Sequence, residues 1–74
     1  RMSELKDMAI DLLDQYGDIV DIYYTQFLEV AFFLKVPASY ALALGFLKRK
    51  LPQLTEEQLV FLINEITSAY HETE

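Results

Sequence analysis

Carboxylates are the side chains with the most chemical capacity in this sequence. Glu4, Asp7, Asp11, Asp14, Asp18 and Asp21 recur at steps of three and four, the spacing that aligns side chains along one face of a helix. A row of this kind can solvate an outer face, dock against a basic surface of another protein, or imitate a line of phosphates. General acid–base chemistry asks for more, because a carboxyl group must sit in surroundings that raise its pKa. These acids all fall on polar faces. The one histidine, His71, has only Glu72 and Glu74 as neighbouring candidate metal ligands, and there is no cysteine. A glycine-rich phosphate loop and a serine in an elbow motif are both missing. The stretch from Asp18 to Glu29 lacks the glycine and ligand spacing of an EF-hand loop. No catalytic residue, metal site or cofactor is therefore expected, and the chemistry open to the chain is non-covalent.

Charge is segregated along the chain. Seven acids against Arg1 and Lys6 give residues 1–29 a net charge of -5, and five glutamates give residues 55–74 another -5. Between them, residues 30–54 carry Lys35, Lys48, Arg49 and Lys50 with no acid, in a chain of net charge -6. The basic middle either neutralises its acidic neighbours, within the fold or across a dimer, or is kept for a partner. The candidate electrostatic contacts are Asp7, Asp11, Asp14 and Asp18 on one side and Lys48, Arg49 and Lys50 on the other.

The elements that must position these groups are helices. With 74 residues, 53% of them hydrophobic and ten aromatic (five Tyr, five Phe), the chain has the length of one small domain and a rich supply of apolar surface. Arg1 before Met2 reads as a remnant ahead of the natural first residue, and residues 1–74 as a single all-α domain. Apolar positions at three- and four-residue steps predict four helices, near 3–16, 18–35, 38–50 and 55–71. Ser3 and Asp18 are candidate N-caps for the first two, Pro37 or Ser39 opens the third, and Leu51-Pro52 closes it. Thr55 and Gln58 form a capping box for the fourth, with Leu54 and Leu59 at the staple positions. Leu59, Leu62, Ile63, Ile66 and Tyr70 make up its apolar face. Gly17 is read as a stop or kink. An unbroken helix of some 32 residues would be roughly 48 Å long and would call for a dimer.

The second expected helix has more apolar surface than a bundle of this size can cover. Tyr23, Phe27, Val30, Ala31 and Leu34 form its core face, while Tyr24, Leu28, Phe32 and Phe33 extend the apolar arc to about 280° of the circumference. Val30, Ala31, Leu34, Val36, Ala41 and Leu44 fall at the offsets of a helix-turn-helix, so residues 26–45 resemble that motif in packing, with Lys35 at the turn position. The resemblance implies a helix presented to DNA as a small transcriptional regulator. The presented positions, however, are Pro37, Ala38, Ser39, Tyr40, Leu42, Ala43 and Phe46, which lack the Arg, Asn or Gln pairs that read base edges. The main expectation is a regulatory or adaptor-type module, cytoplasmic and homodimeric, that binds a protein through Tyr24, Leu28, Phe32, Phe33, Leu42 and Phe46. A DNA-binding regulator and an acidic DNA mimic are the alternatives. No apolar run reaches the 18 or so residues of a membrane span.

Overall fold

Helices form where the apolar spacing places them: α1 (Met2–Leu34), α2 (Tyr40–Lys50) and α3 (Glu56–Glu72). The computed structural model describes the backbone of residues 2–72 and the side chains of residues 4–68. The expected contribution of Tyr70 to the core and the candidate ligands His71, Glu72 and Glu74 lie outside the described side chains. Among the described residues no helix is long and apolar enough to cross a membrane.

Three helices stand where four were expected, because α1 runs unbroken for 33 residues through Gly17. Glycine inside a helix costs about 1 kcal/mol relative to alanine. Burial on both sides of it outweighs that cost: Leu12 and Tyr16 before Gly17, and Ile19 and Val20 after it, all pack into one core cluster. Ser3 and Asp18 therefore lie within α1 and are not its caps. The helix ends in a Schellman motif, with Lys35 N–H donating to the Phe32 carbonyl at 3.2 Å and Val36 N–H to the Ala31 carbonyl at 3.1 Å. Lys35 takes the left-handed conformation, φ 60°, that usually falls to glycine.

The remaining boundaries follow their caps. Ser39, rather than Pro37, opens α2, its Oγ accepting from Leu42 N–H at 3.2 Å. Lys48, Arg49 and Lys50 fill the last turn of α2, where the helix dipole favours positive charge. At α3 the capping box is complete in both directions: Gln58 N–H donates to Thr55 Oγ1 at 3.1 Å, and Thr55 N–H to Gln58 Oε1 at 2.9 Å. Leu54 and Leu59, the staple pair, are both buried in the main cluster.

α2 and α3 pack on one side of α1 and against each other. α2 runs back along α1, since Ala43 joins Phe27 and Ala31 in one cluster while Leu47 joins Val20 in the other. Leu47, Leu51, Leu54, Leu59, Leu62 and Ile63 build the main core with Val20, and no polar side chain is buried among the described residues. The molecule is a slab of 44 × 31 × 17 Å, two helix layers thick.

Two expectations about packing are corrected. Val30 and Leu34 were placed on the core face, yet both are exposed, Leu34 by 59%. α2 begins only at Tyr40 and first buries a residue at Ala43, so the last turn of α1 projects beyond everything that could cover it. For the same reason the helix-turn-helix offsets are not the packed positions. Of the six, Ala31 is buried and Leu44 half-buried, while Val30, Leu34, Val36 and Ala41 are exposed.

Candidate interaction surface

The uncovered end of the α1–α2 hairpin is an apolar tip. Phe32 and Phe33 are 87% and 81% exposed, consecutive on a helix whose end is fixed by two backbone hydrogen bonds. Leu28, Val30 and Leu34 extend the tip along α1, Val36 continues it through the turn, and Tyr40 and Leu42 carry it onto α2; all are exposed. A shallow groove beside them is lined by Glu29, Ala31, Phe32, Phe33, Lys35 and Val36. Lys35 is the single charge between residues 30 and 47, so the tip itself is apolar with a weak positive bias.

Four of the six residues expected to meet a partner, Leu28, Phe32, Phe33 and Leu42, are on this surface. The other two, Tyr24 and Phe46, belong to the core. Tyr24 packs against both clusters, with its ring centroid 6.2 Å from that of Phe27. Phe46 is half-buried against Phe27 at 5.7 Å. The sequence reading missed Val30, Leu34, Val36 and Tyr40, and a signal for the first two was present: the apolar stripe of α1 outruns the 11 and 17 residues of the helices that could cover it.

A second uncovered region lies at the other end of α1. Leu5 and Met8 are exposed and line a groove with Leu12, Gln15, Gln58 and Phe61. α1 thus carries its apolar stripe under cover in the middle and bare at both ends.

The electrostatic candidates separate into used and unused. Lys48 Nζ pairs with Glu56 Oε1 at 3.4 Å, joining α2 to α3. Lys50 Nζ lies 5.8 Å from the Tyr23 ring and 5.4 Å from that of Phe46, close enough for cation–π attraction that also shields two half-buried aromatics. Arg49 is exposed. Asp7, Asp11, Asp14 and Asp18 stand exposed on α1 with no ion pair among the described residues. Among the described residues Lys48 thus neutralises Glu56 of α3, while Asp7, Asp11, Asp14 and Asp18 of α1 stay in solvent.

The chain matches no family model, and no curated protein or solved structure matches it.

Proposed function

We propose that this chain is a small regulatory or adaptor-type interaction module that recognises protein, not by catalysis but by burying the apolar tip of the α1–α2 hairpin. The observation that carries the reading is the near-complete exposure of Phe32 and Phe33 on a rigidly terminated helix. Burying a phenylalanine side chain is worth about 1.5–3 kcal/mol, and the backbone that carries the two rings is already ordered by the helix end. Adjacent aromatics of this kind act as interface anchors. The surrounding Leu28, Leu42 and Val36 would exclude water around them. Sequence-specific DNA binding is disfavoured, because the start of α2 offers Tyr40 and Leu42 where base-reading side chains would be needed.

The test compares the wild type with Phe32→Asp/Phe33→Asp, each carrying an affinity tag in the cells that produce the protein. Both positions are exposed, so the helical circular dichroism of the variant should match the wild type. The expected result is one or more proteins, the untagged chain included, that co-purify with the wild type and are lost from the variant. Recovery of the same proteins by both would overturn the reading.

A further inference from the structure

We propose that one flank of α1 pairs two copies of this chain antiparallel about a two-fold axis, an assignment that rests on the reading above of α1 as an interaction element and names a second copy as its occupant. Along α1, residues 8, 12, 15, 19, 22, 26, 29 and 33 follow alternating steps of four and three, the repeat of a coiled-coil seam. At 100° per residue they fall within a sector of about 100°, roughly a third of a turn from the core stripe. The outward face of α1 is rich in carboxylates; the eight seam positions themselves hold one charge, Glu29, with Glu4 and Asp11 at the edge of the same sector.

The seam is open. Met8 is 66% exposed and Ile22 53%, Gln15 and Gln26 are exposed, and Leu12 and Ile19 are half-buried. α3 crosses α1 and borders the seam only along its first half: Thr55, Glu57, Gln58 and Phe61 line a groove with Met8, Leu12 and Gln15, while Glu65 and Ile66 lie past the crossing, beside Leu13, Gly17 and Asp21.

Antiparallel pairing makes this seam complementary to itself, as a two-fold interface requires. Ile19 falls opposite Ile22 of the second copy on either side of the axis. Gln15 falls opposite Gln26, two amides able to satisfy each other. At each end the Met8 thioether meets the Phe33 ring, a favourable sulfur–aromatic contact. Leu12 faces Glu29, whose aliphatic stem and neighbour Val30 can cover it while the carboxylate reaches solvent. On the acidic edge Asp11 comes opposite Phe32 and Asp18 opposite Thr25, and the one like-charge approach is that of Glu29 to Asp11 and Glu57 beside Leu12 of the second copy. Parallel pairing would instead set Glu29 against Glu29. The antiparallel arrangement also brings Lys35, just past the end of α1, towards the acidic first turns of the other copy.

The area agrees. The chain exposes 5629 Å², whereas a compact monomer of 8.6 kDa exposes about 4,700 Å². The surplus, about 900 Å², belongs to the whole elongated chain, the tip included, and is enough to supply the roughly 800 Å² that each partner contributes to a standard interface.

Light scattering coupled to size exclusion should give about 17 kDa, twice the 8.6 kDa of one chain, at about 100 µM, a concentration well above a micromolar dissociation constant. Ile22→Asp, which lies outside the tip, should weaken dimerisation at least about tenfold. Because the chain has no cysteine, register can be read by mixing the single variants Gln15→Cys and Gln26→Cys under oxidising conditions. A 15–26 link between different chains is expected. A single-chain mass at about 100 µM, a dimer indifferent to Ile22→Asp, or links only of the 15–15 and 26–26 kinds would each overturn the proposal. Failure here with continued loss of binding in Phe32→Asp/Phe33→Asp would leave the tip as a site for a different protein. Failure of both tests would remove the tip reading as well.

Discussion

Lys35 holds a left-handed backbone conformation, φ 60°, that costs an L-residue roughly 1–2 kcal/mol. Its side chain is exposed, so the strain belongs to the backbone alone. Lys35→Gly should therefore stabilise the fold by roughly 0.5–1 kcal/mol after the greater flexibility of the unfolded chain is set against the relief. A rise in thermal midpoint of several degrees would register this in a domain of this size, and no change would mean that the turn is relaxed as it stands. A neighbouring residue shows where sequence reasoning fails. Leu34 has the phase of a core residue, but phase says which way a side chain points and not whether anything is there to meet it. Leu34→Asp should cost less than about 1 kcal/mol, as surface changes do, whereas Leu62→Ala, at a fully buried position, should cost about 2–5 kcal/mol. Urea titration of the two variants separates them, and unfolding by Leu34→Asp would restore the residue to the core.

Among the elements, those whose ends are written in local hydrogen bonds were readable. The Thr55–Gln58 box, the Leu54–Leu59 staple and the Leu51-Pro52 stop all sit where side-chain chemistry alone places them. α1 was harder, because the decision at Gly17 is tertiary: a local penalty of about 1 kcal/mol competes with burial supplied by distant α3. That competition can be measured. A Cβ at Gly17 would meet only the Leu13 side chain, Cδ1 at 3.4 Å and Cγ at 3.7 Å, ordinary contacts. Gly17→Ala should then add about 1 kcal/mol of stability and raise the thermal midpoint by about 4–8 °C. A destabilised variant would show that α1 needs to bend there. The candidate surface was legible in part for the same reason. Excess apolar arc on the end of α1 signalled Leu28, Phe32 and Phe33, but Tyr24 and Phe46 have the same apolar character and differ only in having α2 and Phe27 to lean on.

The whole molecule separates its charge as well as its apolar surface. Net charge is -6, Asp7, Asp11, Asp14 and Asp18 of α1 face solvent, and two of the three cations in the last turn of α2 are engaged, Lys48 with Glu56 and Lys50 over two rings. Mixed-sequence duplex DNA should consequently bind no tighter than about 10 µM at 150 mM salt. Fluorescence anisotropy checks this, and a nanomolar complex with a steep salt dependence would favour nucleic acid as the partner. The coverage of α1 has a further consequence, for the kinetics of local opening. One helix with continuous backbone hydrogen bonding is clamped by two neighbours over its middle and only lightly flanked towards its ends, so its amides should not exchange with solvent as a unit. Deuterium uptake by the monomer should be slowest from about Tyr16 to Phe27 and fast towards Leu5 and Leu34. In an antiparallel pair the two fast zones lie against each other and should slow together, at the same protein concentration.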